Sequence, residues 1–184
     1  MFLHKNMHLR KIDRDDLHLL ADLKRDSWLG THQVTIANKE DQDRWFESLC
    51  QNVDSPKNLV LIATMNNQHN TKIGIFKIFG ADYINRSADV GWDVFECFRG
   101  EGLGKPLVAA GCAFCFDILA LRRLTAEILA NNIASQKCAQ SAGFTLEGTK
   151  RHAVHRLGEY IDSHILGLLV SDKKLALQPK VSPL

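Results

Sequence analysis

The period of the apolar positions changes several times along the chain, and each change marks an element. Met7, Leu9 and Ile12 stand among polar neighbours over residues 7–12, the mark of a first strand. Residues 15–24 carry Leu17, Leu20 and Ala21, with Leu19 and Leu23 four apart, which predicts a helix. A second helix is predicted from Asn38, a good N-cap, with Asp41 in its first turn and Trp45, Phe46, Leu49 and Cys50 on its apolar side. Residues 28–37 between these helices have no clear period and read as a loop.

Further on, residues 58–65 predict a central strand, a polar turn follows at 66–70, and the alternating residues 72–79 make its hairpin partner. A strand over 88–94, reached across a polar turn at 85–87, leads into the glycine-rich turn Arg99-Gly-Glu-Gly-Leu-Gly104. The apolar run 106–116 then reads as a buried helix. After it come a strand at 124–129, a short helix at 134–142 closed by Gly143 as a C′ residue, and two closing strands at 144–150 and 160–170. Residues 173–184, with Pro179 and Pro183, read as a loosely held tail. No repeat or linker divides the chain. This order predicts one α/β (α+β) domain over residues 1–172, a central mixed sheet of about seven strands flanked by four helices.

Composition narrows the picture. At 184 residues the chain suffices for one domain with a substantial core. Its 23 basic and 21 acidic residues are spread along it, so the clustered basic footprint of a nucleic-acid binder is missing. His4, Lys5, His8, Arg10 and Lys11 interrupt any signal-peptide core, and the apolar run to Phe116 is too short to span a bilayer. These features exclude nucleic-acid and membrane partners from the expectation. The five cysteines form no even disulfide framework, and Cys112-x-x-Cys115 lies inside the apolar run without a second ligand pair. Both read as core residues of a reduced, cytoplasmic protein with no metal centre.

Strand, glycine-rich turn and apolar helix in succession is the arrangement that binds phosphates. Unpaired amides at the helix start point at the anion, the helix dipole adds attraction, and glycine lets the backbone come close. Gly100, Gly102 and Gly104 fill that role here, with Arg99 and Lys105 as cations. Pro106 follows Gly104-Lys105 where a P-loop needs Ser or Thr, and neither Asp117 nor Glu127 is placed to serve as the ribose partner of a Rossmann loop. The remaining pattern, [Gln/Arg]-x-x-Gly-x-[Gly/Ala], is matched by Arg99, Gly102 and Gly104.

On these residues the chain resembles the GNAT superfamily of CoA-dependent N-acetyltransferases. A second block supports the resemblance, Asn132-x-x-Ser135 followed by Ala142-Gly-Phe144 and Glu147-Gly148, as do the ending Gly158-Glu-Tyr-Ile-Asp162 and the upstream segment from Ile36 through Gln42 to Trp45-Phe46. Together they look like the branch that acts on ribosomal-protein N-termini and nucleotide-linked amino sugars. The resemblance covers roughly residues 7–170 and implies a GNAT-like, mostly antiparallel sheet. It also implies acetyl-CoA as co-substrate, with the pyrophosphate on Arg99, Gly100, Gly102, Leu103, Gly104 and Lys105. The pantetheine arm would pair with the backbone at Val94, Asn132 would hydrogen-bond it, and Ser135 would protonate the leaving thiolate. Many relatives use a tyrosine at what is Ala139 here, and the branch's glutamate base falls on Val154.

Read by their own chemistry, Asn132 is also a helix cap and Ser135 a common first-turn residue. For the base, Asp93, His155 and Glu127 stay open together, with Asp89 sharing a sheet face with Asp93. Trp28, Trp45 and Trp92 are core or pocket aromatics, and Trp28 falls in the irregular segment expected to form the acceptor site. The expected partner is an amine, whether a protein N-terminus, an amino sugar or a small amine, and a homodimer is an open alternative. A non-catalytic CoA- or nucleotide-binding module is the competing reading, and a nucleotide-dependent oxidoreductase a distant third.

Overall fold

The elements follow the predicted order in a computed structural model that describes residues 2–4, 6–19, 40, 43–44, 46–47, 57–67 and 69–172. Strands β1 (Phe2–His4), β2 (Met7–Lys11), β3 (Leu59–Met65), β4 (Lys72–Asp82) and β5 (Ser87–Val94) come first. Helix α1 (Gly104–Asp117), β6 (Arg123–Leu129), helix α2 (Ile133–Ser141), β7 (Thr145–Arg156) and β8 (Glu159–Leu169) complete the chain. Residues 17–19 and 40, 43, 44, 46 and 47 are helical where the two N-terminal helices are predicted. The rest of those helices, with Asn38, Trp45, Leu49 and Cys50, lies outside the described residues, as do the loop 28–37 with Trp28 and the tail 173–184.

Among the described residues all strands join one eight-stranded sheet in the order β1-β2-β3-β4-β5-β6-β8-β7. Every neighbouring pair is antiparallel except β5 and β6. That pair is parallel because α1 carries the chain back across one face between them. The sheet has one strand more than expected. β1 is too short, and its neighbours too polar, to show a period. β7 runs on to Arg156 instead of ending at residue 150. Its register against β8 slips between Lys150 and Val154, where His152 takes a φ of 52°, and the slip hides the alternation.

Both faces of the sheet are covered. Leu9, Leu61, Phe76, Val90, Leu124 and Leu168 form one buried surface with Leu107, Val108, Cys112 and Cys115 of α1. On the other face Ile12, Val60, Ile62, Ile75 and Phe95 meet Phe46, with Leu17 and Leu19 packed alongside. α1 lies close because Gly111 has no side chain; a Cβ there would stand 2.1 Å from the Phe76 ring. Cys112 and Cys115 are buried in this layer and form no disulfide, and burial pushes the Cys115 thiol well up, away from thiolate chemistry. Among the described residues no helix is long and apolar enough to cross a membrane.

Where β2 meets the N-terminal helical segment, Asp13 and Asp16 cap the 3-10 turn Arg14–Asp16 as a reciprocal box. Asp16 is fully buried. It takes two hydrogen bonds from the Arg10 guanidinium at 2.6 and 2.8 Å, one from the Asp13 amide at 3.0 Å, and an ion pair from Lys72 at 2.8 Å. One carboxylate thus ties β2, β4 and the start of the helical layer together.

Candidate functional site: a wedge between β5 and β6

β5 and β6 are paired only where they begin. Ser87, Ala88 and Asp89 face Arg123, Leu124 and Thr125. Beyond that point β5 stays with β4 up to Val94 opposite Gly74, while β6 stays with β8 up to Leu129 opposite Ser163. The two central strands therefore part. The wedge between them is bordered by the backbone of residues 90–94 and 126–129, roughly 15 Å along the strand direction. Phe95 N donates to Ile73 O at 2.9 Å, on the β4 side. Successive peptide groups point to opposite edges of a strand, so the N–H and C=O of Val94, Trp92 and Val90 turn toward the wedge.

The glycine-rich turn closes over the mouth of this wedge. Gly100 and Gly102 have φ of 84° and 77°, with open space where a Cβ would lie, so conformation is what requires glycine there. Gly104 answers to a different need. Its Cβ would sit 2.7 Å from Cys138 Sγ and 3.9 Å from Val94 Cγ2, so the start of α1, the body of α2 and the end of β5 meet at this atom. The sequence offered no sign of Cys138 as a member of the site. Its thiol is pushed up by burial, with Lys105 acting in the opposite sense.

α1 begins without a cap. Leu103 occupies the N-cap and makes no side-chain hydrogen bond, and the first bond of the helix runs from Leu107 N to Leu103 O at 3.2 Å. Pro106 has no N–H, so the amides of Gly104 and Lys105 are left without an acceptor inside the helix. No acidic residue lies in this first turn, and Lys105 is exposed beside it. Arg99 Nε reaches back to Val94 O at 3.3 Å, which settles the guanidinium against the strand end. Positive charge, free amides and the helix dipole thus converge at the wedge mouth.

α2 starts at the same end of the sheet, because it follows the parallel strand β6. Asn132 caps it, its Oδ1 accepting from Ser135 N at 3.1 Å, which leaves the Nδ2 amide as a donor. Ser135 is half-buried one turn in. Ala139 is fully buried. The structure therefore brings Val94 and Gly104 together against Cys138 of α2, and puts the turn from Arg99 to Lys105 and the helix start at Asn132 and Ser135 at the same end of the sheet.

The acid-base candidates lie apart from one another. Asp93 projects from β5 to the face opposite α1, where Lys77 Nζ holds it at 2.7 Å. Lys77 was legible in the sequence only as a lone cation within an apolar strand. Glu127, on β6, accepts from Lys150 Nζ and from Ser163 Oγ, both at 2.7 Å. His155 is exposed on β7, its ring 4.9 Å from that of Tyr160, two strand spacings or about 10 Å from β6. Asp89 is exposed, and Trp92 packs against Phe144 at 6.1 Å.

The Gly104 contact is open to a direct test. Gly104→Ala is expected to cost about 1–3 kcal/mol through overpacking. Cys138→Ala in the same chain should recover most of that loss in the denaturant midpoint. Additive losses in the double-mutant cycle would show that the two residues do not share this space.

With this geometry in view, a model of the acetyltransferase (GNAT) domain family matches residues 6–145. The chain is 28% identical over 87 residues to the probable N-acetyltransferase YjcK of Bacillus subtilis (strain 168), an alignment covering 47% of this chain and 48% of that protein. It thus spans about half the length of this curated relative. Among solved structures, the spermidine N-acetyltransferase of Vibrio cholerae in complex with CoA and spermine aligns with a TM-score of 0.78 at 19% identity, over 92% of this chain and 98% of that one. Glutamate-to-glutamine mutant forms of the Vibrio cholerae spermidine/spermine N-acetyltransferase SpeG align with a TM-score of 0.80 at 19% identity, over 95% and 100%. At these identities the likeness is one of fold.

Proposed function

The chain belongs to the acetyltransferase (GNAT) family, and from that premise we propose that it moves an acetyl group from acetyl-CoA directly onto a primary amine. The observation that carries the reading is the wedge, which opens onto an uncapped, acid-free helix start. A pyrophosphate fits the amides of Gly104 and Lys105 and the glycine-rich turn before them. An extended, amide-bearing arm fits the unpaired edge of β5, as an added strand would. The donor supplies an activated thioester; the residues of this chain hold it and manage protons.

In this reading Val94 N–H donates to the thioester carbonyl, where negative charge develops as the amine attacks. The new C–N bond forms as the C–S bond breaks. Ser135 Oγ delivers a proton to the departing sulfur and recovers one from water, and the proton that the amine gives up passes to a base, for which Asp93 is put forward. Asp93 is the nearest along the chain of the three base candidates, one residue from Val94. An acceptor ammonium arriving on that face competes with Lys77, the one partner that holds this carboxylate, whereas Glu127 has two. Glu127 is engaged by Lys150 and Ser163, and His155 stands at the sheet edge, so both are assigned lesser roles.

The test is release of free thiol from acetyl-CoA with a panel of amines: a polyamine, a peptide with a free N-terminus and an amino sugar. The polyamine belongs there because the Vibrio cholerae proteins of similar fold are named for spermidine. Turnover with one of them is expected, and Ser135→Ala should lower kcat roughly 10²-fold while leaving CoA affinity in place. Stabilisation by acetyl-CoA with no thiol released across the panel would favour a binding module instead.

A further inference from the structure

A cavity of about 420 Å³ opens at the other end of β5, lined by Ile84, Asn85, Arg86, Ser87, Arg122 and Arg123. The length of β5 sets it roughly 23 Å from the glycine-rich turn. Two loops build it, the β4–β5 turn and the connection from α1 to β6, and they are stapled to each other. Arg86 O accepts from Arg122 N at 2.6 Å and from Arg123 N at 3.2 Å, and Arg86 Nε donates to Ala120 O at 2.7 Å. Arg86 and Ala120 both take left-handed backbone conformations, φ 55° and 51°, an unfavourable choice for residues with a Cβ. Arg86 lines the cavity, and with Nε spent on the staple its two terminal nitrogens remain as donors.

The nearby acids are already engaged. Glu147 takes the Arg123 guanidinium end-on through both terminal nitrogens, with Nη1 to Oε1 at 2.9 Å, and the pairing holds the carboxyl below its ordinary range and the guanidinium above. Asp82 is folded into its own turn, accepting from Ile84 N at 2.9 Å, Asn85 N at 2.8 Å and Asn85 Nδ2 at 2.7 Å. Asp89 lies further along β5 and acts on Arg123. Among the described residues no carboxylate pairs with Arg86 or Arg122. Two guanidiniums are thus left facing one cleft, an arrangement whose natural complement is a doubly charged oxyanion gripped from two sides.

We propose that this cleft binds a small phosphate-bearing anion, held between Arg86 and Arg122 and separate from the cofactor wedge. The anion bridges the β4–β5 turn to the start of β6, next to the one stretch where β5 and β6 are paired, and so reinforces the closed end of the wedge.

The experiment follows thermal unfolding of the full chain in a millimolar series of inorganic phosphate, with ionic strength held constant by chloride. A parallel arm uses glycerol phosphate, which separates free phosphate from a phosphoryl group on a small molecule. Wild type and Gly102→Trp should both show a saturable rise in Tm. Arg122→Gln, which keeps the staple because only its backbone takes part, should unfold like wild type in chloride and need at least tenfold more phosphate for the same rise. Arg86→Gln should lose the response as well, with a lower starting Tm. Two results would overturn the proposal: no saturable rise over chloride, or a rise that survives Arg122→Gln and disappears in Gly102→Trp, which would assign the anion to the glycine-rich turn.

Discussion

Gly102→Trp is expected to abolish stabilisation by acetyl-CoA in a protein that still folds. At a hundred times Kd, a ligand that binds only the native state adds about 2.7 kcal/mol. In a domain of this size that raises Tm by roughly 5–11 °C. Gly102 has a φ of 77°, and nothing lies within 4 Å of where its Cβ would be. An indole there meets no protein atom at first, but it occupies the approach to the amides of Gly104 and Lys105. The left-handed backbone costs the variant about 1–2 kcal/mol, so its own Tm starts a few degrees lower. Gly102→Ala carries the same strain with little bulk and separates the two effects, since it should keep much of the ligand response. An acetyl-CoA shift in Gly102→Trp equal to that of wild type would move the cofactor away from this turn. No shift in either protein would leave the wedge without its ligand.

The parts of this site that could be read in the sequence are those whose chemistry is local. Arg99 to Lys105 spells out its own conformation, because alternating glycines before an apolar run suit few structures other than a tight turn into a buried helix. Asn132 followed by Ser135 likewise announces a capped helix, and Asn132 does cap α2 through Ser135 N. Contacts that depend on long-range register stayed hidden. Nothing near Asp93 in sequence points to Lys77, which reaches it only because β4 and β5 pair with Ile75 opposite Asp93. Cys138 enters the site through the packing of α2 on the start of α1, and no period marks it. The sheet was legible where a strand is a continuous apolar run buried on both faces, as β3 is, or where buried and less buried residues alternate, as in β2. In β7 only the first half was read, as a strand ending at residue 150, because no residue of β7 is buried and alternation has nothing to report on its continuation to Arg156. Glu127 reads as a lone acid on a central strand, yet the β7–β8 hairpin supplies both Lys150 and Ser163 to it.

Asp16→Asn is expected to be the most destabilising conservative change at the N-terminal side, and to make the remaining stability less sensitive to acid. The carboxylate is fully buried and serves Arg10, Lys72 and the Asp13 amide at once. Removing one partner from a buried ion pair typically costs about 3–5 kcal/mol, because the remaining charge loses its counterpart. The Arg10 and Lys72 side chains keep 28% and 37% of their surface in water, which lets them recover some hydration. The lower end applies, about 3 kcal/mol, or roughly 6–12 °C in Tm. Burial alone would raise this carboxyl, but the hydrogen bonds from Arg10, Lys72 and the Asp13 amide outweigh it and hold the group far below the ordinary carboxylate range. A carboxyl whose folded pKa is depressed contributes stability in full above its unfolded pKa, near about 4, and loses it as pH falls below that value toward the folded one. Wild type should therefore lose stability steeply between about pH 4 and pH 2, where the variant, having no carboxylate to protonate at this position, should give a shallower curve. Urea midpoints of the two proteins across that interval decide the matter. Parallel curves would mean that Asp16 does not supply the acid-labile share of the stability, and that other carboxylates such as Glu147 carry it.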